Sequence, residues 1–144
     1  ASAADTWATE IGTLARARPR SIVTGERVPT GTSGAVTRTG SMAGIAGALF
    51  VAVQAVAVAW PTAAFLAAIG GGIVGSVLDS VLGAVAQARF WCASCGVDTE
   101  RRVHDCGTTT TLRAGVRWLN NDGVNALATA AGAAVGSAVA LGVR

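Results

Sequence analysis

Three long apolar runs constrain the fold of this chain more than any other feature of its sequence. Residues 41–60 carry no charge, residues 62–88 carry Asp79 alone, and residues 119–143 carry Asp122 alone. A helix needs about 20 mostly apolar residues to cross the hydrocarbon core of a bilayer. Buried helices of a water-soluble protein would show polar faces at helical spacing, and these runs do not. The pattern predicts three membrane-spanning helices.

The composition is that of a membrane protein. Hydrophobic residues make up 51% of the chain and charged residues 13%, whereas a soluble domain carries about 25% charge. The net charge of +3 comes with so little polar surface that it does not indicate a nucleic-acid partner. Glycines four residues apart, as at Gly71 and Gly75 or Gly132 and Gly136, predict helices that approach each other closely.

The distribution of arginine predicts the orientation of the chain in the membrane. Ten of the eleven arginines lie in residues 16–40 and 89–118, and the link between the first two runs has none. By the positive-inside rule, both basic segments are cytoplasmic. We therefore expect an all-α, multi-pass helix bundle in the cell membrane, formed by a single domain, residues 1–144. Residues 1–15 look like the end of a truncated helix, which predicts that the chain is the C-terminal portion of a longer protein.

Four acidic side chains lie in or beside the apolar runs: Asp5, Glu10, Asp79 and Asp122. An ionised group in the bilayer costs about 2.5–3.5 kcal/mol on insertion scales, so it usually marks a functional site. The predicted topology brings all four acids to the cytoplasmic side, with Asp79 roughly 14 Å into the bilayer at helical rise. A regular helix would separate the directions of Asp5 and Glu10 by about 140°. We expect these four carboxylates to be catalytic residues that hold Mg²⁺.

A polar loop before the first run is a candidate for binding phosphate. Residues 31–34, Gly-Thr-Ser-Gly, combine accessible backbone amides with hydroxyl groups, and Arg27 and Arg38 supply positive charge nearby. The loop lacks the lysine and the spacing of a Walker loop, so a flexible polar loop is the alternative.

Polar residues also accompany two of the acids in their helices. Asp79, Gly83 and Gln87 recur every four residues and so lie on one stripe. Such a stripe either binds a ligand or joins helices by hydrogen bonds. Asn121 and Asn125 share a face at the start of the third run, where they either help to cap the helix or supply oxygen ligands to Mg²⁺.

The second basic segment contains a metal-binding pattern, in which Cys-x2-Cys is followed by His-x-Cys: Cys92, Cys95, His104 and Cys106. Three thiolates and one imidazole form a tetrahedral Zn²⁺ ligand set that leaves no coordination position open for catalysis. An odd number of cysteines in a cytoplasmic segment argues against a disulfide. The pattern predicts a structural zinc ion that folds residues 89–118 into a knuckled loop, with free thiols or a redox pair as the alternatives.

Several sequence blocks, in order, resemble a family of integral membrane proteins: DTWATEIG, GTSGAVTRTG, GSVLDSVLGAVAQ, the cysteine pattern and WLNNDGVN. The family includes plant phytyl-phosphate kinase and human transmembrane protein 19. The resemblance implies phosphorylation of an isoprenoid monophosphate, phytyl or prenyl, to the diphosphate, with CTP or ATP as the donor. It also implies a set of substrate- or nucleotide-binding residues: Thr6, Gly31, Thr32, Gly34, Ser80, Gln87, Asn121 and Asn125.

The sequence thus predicts a Mg²⁺-assisted membrane kinase whose partners are a nucleoside triphosphate, a prenyl or phytyl monophosphate and the lipid bilayer. A cytidylyltransferase that forms a CDP-lipid would bring the same two substrates together. An ion-coupled transporter would also place acids in the membrane, but it needs access from both faces, and the outer parts of the runs carry no charge. A metal-stabilised scaffold without catalysis would tolerate the loss of Asp79.

Overall fold

The computed structural model describes residues 1–143, which form four helices with two small sheets between them. The first helix, α1 (Ser2–Leu14), is short. The other three are long and apolar enough to cross a membrane: α2 (Arg38–Ala57), α3 (Thr62–Val85) and α4 (Asn121–Gly142). The predicted helical membrane bundle with three spans is confirmed, and the helix ends differ from the predicted ends by a few residues.

The helices pack largely through faces of glycine and alanine, while many of their large apolar side chains are exposed. Ala48 and Ala52 are buried, whereas Phe50 between them is 54% exposed. At the contact of α3 with α4, a Cβ added to Gly71 would collide with the carbonyl oxygen of Gly132. Small residues allow this close approach in a bilayer, where the outward side chains contact lipid.

The link between α2 and α3 is a tight turn. Ala59 has a φ of 56°, in the left-handed region. The amides of Ala59 and Trp60 donate to the carbonyls of Val56 and Ala55, at 3.0 and 2.9 Å. This is the Schellman arrangement that ends many helices, here with alanine where glycine is usual. The turn sends α3 back along α2, so α3 ends where α2 begins.

The segments between the helices contain short strands that the sequence did not reveal. Between α1 and α2, β1 (Arg20–Ser21) pairs antiparallel with β2 (Ala35–Val36). Between α3 and α4, β3 (Arg89–Cys92) is the centre of an antiparallel sheet, with β4 (Val97–Thr99) and β5 (Thr111–Ala114) at its edges.

The second sheet is tied to the end of the bundle. Phe90 and Cys92 are its buried side chains on β3. The amide of Ala88 donates to the carbonyl of Leu119 at 2.8 Å, which places the two ends of the segment side by side. Residues 89–118 are called the Cys/His module below.

Candidate functional site

A cleft of about 620 Å³ opens at the end of the bundle where α2 begins and α3 ends. Its walls come from α1, the loop before α2, the start of α2, the second half of α3, the start of α4 and the Cys/His module. Its polar lining includes these side chains: Asp5, Thr6, Glu10, Thr32, Asp79, Ser80, Glu100, Asn121 and Asn125. Segments far apart in the sequence therefore meet at one polar site in an otherwise apolar bundle.

Three of the four predicted catalytic acids line this cleft: Asp5, Glu10 and Asp79. α1 is one regular helix from Ser2 to Leu14, so its two acids point about 140° apart. Both acids reach the cleft because a broad face of α1 lines it, including seven of the nine residues from Asp5 to Thr13. Asp5 from α1 and Asp79 from α3 line the same cleft. Such a pair of carboxylates favours a bound cation.

Asp79 lies nearer to the end of its helix than the sequence predicted. α3 ends at Val85, six residues after Asp79, so the carboxylate is roughly 9 Å from the helix end at helical rise. Its Oδ2 atom is buried and has no hydrogen-bond partner among residues 1–143. A buried oxygen of this kind is costly unless a ligand satisfies it.

Asp122, the fourth predicted acid, does not line the cleft. It is exposed in the first turn of α4, whereas Asn121 and Asn125 do line the cleft. Successive helix residues point about 100° apart, so a side chain next to a lining residue can face away. The cap of α4 is Asn120, whose Oδ1 accepts a hydrogen bond from the amide of Gly123 at 3.0 Å. Asp122 is left to complement the positive end of the helix dipole.

Residues 30–37, called the glycine loop below, form one wall of the cleft. Gly31, Thr32 and Gly34 all belong to this wall. Gly34 has a φ of +75°, and a Cβ added there would collide with Ala84 of α3. The loop can therefore lie directly on α3 only because residue 34 is glycine.

The cleft is lined by four carboxylates. Among residues 1–143, no basic side chain lines it. Arg27 and Arg38, which were expected to add positive charge near the loop, are exposed and lie outside the lining. The fourth carboxylate is Glu100, from the Cys/His module, in place of Asp122. A cleft with this charge attracts cations, and it would accept a phosphate group only together with one.

Sequence reasoning missed Glu100. The other two acids of the module pair with arginine: Asp98 with Arg113 at 2.9 Å, and Asp105 with Arg101. Glu100 instead brings its negative charge to the cleft. The signal in the sequence was its position between the two halves of the metal-binding pattern, where a bound metal would fix the segment.

Gln87 was predicted to bind substrate or nucleotide, but the structure places it behind the cleft wall. The residue is 3% exposed and is not part of the lining. The hydroxyl of Ser33 donates to its Oε1 at 2.8 Å, and its Nε2 donates to Oε1 of Glu100 at 2.7 Å. Its contacts are therefore with protein groups on both sides, and direct contact with a ligand does not fit this burial.

The Cys/His module holds a second candidate site, formed by Cys92, Cys95, His104 and Cys106. Their ligand atoms all lie within 4.8 Å of one another. Sγ of Cys106 is 3.6 Å from Sγ of Cys92 and 3.2 Å from Nδ1 of His104. A tetrahedral ion with bonds of about 2.3 Å places its ligands about 3.8 Å apart. The cluster could hold a metal ion, and its cysteines are free thiols.

The acidity of the thiols fits this interpretation. Hydrogen bonds with Thr108 and with His104 lower the pKa of the Cys106 thiol to about 6. The hydrogen bond with Cys106 raises the pKa of the Cys95 thiol to about 11. One thiolate thus forms readily and keeps a neighbouring thiol protonated. A bound metal ion displaces such a proton, because the ligand is the thiolate.

The chain is similar to known proteins over most of its length. Residues 1–133 match the family described as integral membrane protein DUF92. Protein PGR of Arabidopsis thaliana is 32% identical over 133 residues, which cover 84% of this chain and 45% of that protein. Uncharacterized membrane protein MJ0933 of Methanocaldococcus jannaschii is 31% identical over 136 residues, which cover 94% of this chain and 46% of that protein. No solved structure matches the chain.

The chain spans about half the length of the curated relatives it matches. The family match runs from α1 into α4 and so includes both the cleft and the Cys/His module. The resemblance to an integral membrane family that the sequence blocks indicated is confirmed, as is the location of the protein in a membrane. This chain belongs to the DUF92 family of integral membrane proteins.

Proposed function

We propose that this chain carries the site of a membrane-embedded kinase. The enzyme would transfer the terminal phosphoryl group of CTP or ATP to a phytyl or prenyl monophosphate. The observation that carries the proposal is the cleft itself, where four carboxylates from three separate segments meet at one end of a membrane bundle. The sequence blocks described above, which resemble a family containing such a kinase, support it.

The cleft acids would hold Mg²⁺ together with the nucleotide phosphates. Mg²⁺ is bound through a few carboxylates plus substrate phosphate oxygens, and these are the groups that would meet here. The proposed central ligands are Asp79, whose buried Oδ2 has no hydrogen-bond partner among residues 1–143, and Asp5 of the same cleft. Glu10 and Glu100 complete the acidic lining. When bound, the cation would neutralise charge on the transferred group.

The proposed reaction needs positioning more than covalent help from the protein. An oxygen of the lipid monophosphate attacks the γ-phosphorus, and the bond from that phosphorus to the β,γ-bridging oxygen breaks. The nucleoside diphosphate leaves, and a new P–O–P bond forms in the lipid diphosphate. No general base is required, because the attacking oxygen is already ionised. The proposed orienting groups are the glycine loop and the remaining polar lining: Thr6, Gly31, Thr32, Gly34, Ser80, Asn121 and Asn125.

The position of the cleft suits a substrate with a hydrocarbon tail. Ile45, Ile73 and Val77 add apolar surface to the same lining. A phosphate headgroup could reach the carboxylates while its chain stays between helices whose outer side chains face lipid. The distribution of arginine supports a cytoplasmic location of this end of the bundle, where soluble nucleotide is available.

We also propose that the Cys/His cluster binds a structural zinc ion. Three cysteines and a histidine are a common structural zinc set, and four protein ligands leave no open position for catalysis. The module has few buried side chains, so a metal ion would contribute much of its folding energy.

The test is a labelling experiment with the full-length protein, since this chain spans about half of its relatives. Purified protein is incubated with prenyl and phytyl monophosphates and with CTP or ATP labelled at the α- or the γ-phosphorus. Transfer of the γ label alone to the lipid is the expected result. Transfer of the α label with release of pyrophosphate would show the cytidylyltransferase reaction instead, and no transfer of either label would refute both.

Asp79→Asn is the decisive variant in this assay. We expect transfer to fall about 100-fold or more, because asparagine keeps the shape of the side chain but cannot neutralise a cation. The protein should still insert into the membrane. Glu26→Gln is the matched control, since Glu26 is exposed in the loop between β1 and β2. Full activity of Asp79→Asn would remove Asp79 from the proposed site.

A further inference from the structure

The side chain of Gln87 joins three segments that are distant in sequence. Gln87 follows α3, Ser33 belongs to the glycine loop, and Glu100 follows β4 in the Cys/His module. The two hydrogen bonds, 2.8 and 2.7 Å long, link them in a single chain of contacts. Gln87 is 3% exposed, so its own amide group is shielded from bulk water.

The backbone around Gln87 is held on both sides. Its amide donates to the carbonyl of Leu82 at 3.1 Å, and the carbonyl of Ala86 accepts from the amide of Val116 at 2.9 Å. Gly115 lies so close that a Cβ added there would collide with the carbonyl of Gln87. The side chain therefore projects from a fixed point, and the fold sets its direction before any ligand binds.

The helix surface next to Gln87 leaves room for the glycine loop. A Cβ added to Gly83 would lie 2.7 Å from Oγ of Ser33 and 3.5 Å from Oε1 of Gln87. Gly83 therefore keeps open the space through which the Ser33 hydroxyl reaches Gln87. Gly34 packs on the same part of α3, so the loop is anchored at two neighbouring residues.

Glu100 is the one cleft carboxylate, among residues 1–143, that lies outside the helices. It lies between Cys95 and His104, two of the grouped metal-ligand residues. The module thus brings Glu100 to the edge of the bundle, and the hydrogen bond from Gln87 fixes one oxygen of its carboxylate.

We propose that Gln87 is a positioning residue that sets the glycine loop and Glu100 at a fixed spacing in the cleft. An amide suits this role because it offers an acceptor to the Ser33 hydroxyl and a donor to the Glu100 carboxylate. The inference rests on the proposed function, because the spacing matters for a nucleotide that binds with its cation between the loop and the carboxylates. Gln87 itself does not touch the nucleotide.

The first test compares KM and kcat in the full-length protein. Gln87→Met keeps a side chain of similar length but removes both hydrogen bonds. The KM for the magnesium nucleotide should rise about tenfold, while kcat should change by less than about threefold, because the lost interactions act on ground and transition states alike. Gln54→Met is the matched control, since Gln54 is exposed on α2. An unchanged KM in Gln87→Met overturns the inference.

Exchanging the amide and the carboxylate between positions 87 and 100 tests whether the lost hydrogen bonds can be restored. Gln87→Glu places a carboxylate against Glu100 and should raise KM at least as much as Gln87→Met. Adding Glu100→Gln restores both hydrogen bonds, because the amide at position 100 can donate to the carboxylate at position 87. The double variant should have a KM within about threefold of Glu100→Gln alone. A double variant whose KM stays more than about tenfold above that of Glu100→Gln alone overturns the inference.

Hydrogen exchange separates this inference from the proposed reaction, because it needs no substrate. Gln87→Glu should speed amide exchange in residues 30–37 and 97–106, and the double variant should restore protection. If this pattern holds and no phosphoryl transfer is found, the positioning role stands and the proposed function fails. If transfer occurs and substitution of Gln87 changes neither KM nor exchange, the proposed function stands and the positioning role fails. Should Gln87→Glu fail to fold, recovery of folded protein in the double variant supports the inference, and its absence overturns it.

Discussion

The helical bundle and the Cys/His module reach a defined structure by different routes. In the bundle, glycine faces bring helix backbones into direct contact along much of their length, as at Gly71 and Gly132. The module has strands of three or four residues, few buried side chains and four grouped metal-ligand residues. Asp5 and Asp79 are therefore held in the cleft by helix packing, whereas the position of Glu100 depends on a small sheet, the grouped Cys and His side chains and Gln87.

Replacing one of the grouped Cys and His residues should separate the two regions most clearly, because it should unfold the module and leave the helices folded. Structural zinc contributes about 10–16 kcal/mol in small zinc peptides, so Cys92→Ser should lose the ion and unfold the module. We expect no zinc by mass spectrometry and rapid proteolysis within residues 93–118, with unchanged helical circular dichroism. Ser94→Ala is the control, since Ser94 is outside the ligand set, and it should keep its zinc. Loss of helical signal in Cys92→Ser would show that the bundle needs the module.

Adding one methyl group at Gly71 should weaken the bundle and leave the module intact. Gly71→Ala places a Cβ against the carbonyl of Gly132, whereas Gly70→Ala meets its nearest neighbour, Val139, at an ordinary 3.6 Å. Overpacking of this kind costs about 1–3 kcal/mol. Thermal unfolding in detergent should show a lower midpoint for Gly71→Ala than for Gly70→Ala, with zinc content equal in both. Equal midpoints would mean that α3 and α4 pack less closely than the structure shows.

The turn between α2 and α3 gives the smallest expected effect. Ala59 adopts a positive φ, which costs an L-residue about 1–2 kcal/mol relative to its usual conformations. Ala59→Gly relieves this strain but adds freedom to the unfolded chain, so stability should rise by about 0.5 kcal/mol. Ala57→Gly, in the last turn of α2, should lower stability instead. The thermal midpoints of the two variants should therefore lie on opposite sides of the wild-type midpoint.

The bundle could be predicted from the sequence because its signals are long and redundant. Each span is a run of about 20 apolar residues. The second run was predicted to end at residue 88 and its helix ends at Val85, but a difference of this size does not alter the fold. The strands of the module could not be predicted, because strands of three or four residues lack a readable alternation. The grouping of the four Cys and His side chains could be predicted, because metal-binding spacing does not depend on the surrounding secondary structure.

Asp122 and Glu100 show where prediction of the site reached its limit. The distribution of arginine placed Asp122 at the end of the bundle where the cleft lies. The rotation of α4 about its axis decides which of its residues face the cleft. Asn121 and Asn125 face it, and Asp122 does not. Glu100 reaches the cleft through the fold of the module and the hydrogen bond from Gln87. Neither helix rotation nor a contact between segments 13 residues apart follows from composition or periodicity.

The measurement that tests the account most directly is Mn²⁺ binding to the full-length protein, followed by electron paramagnetic resonance. Mn²⁺ stands in for Mg²⁺ because both prefer carboxylate oxygens. Wild type and Glu26→Gln should bind the ion in the absence of nucleotide, and Asp5→Asn and Asp79→Asn should each weaken binding about tenfold or more. Equal affinity in all four proteins, or no binding by the wild type, would contradict a cation site built from α1 and α3.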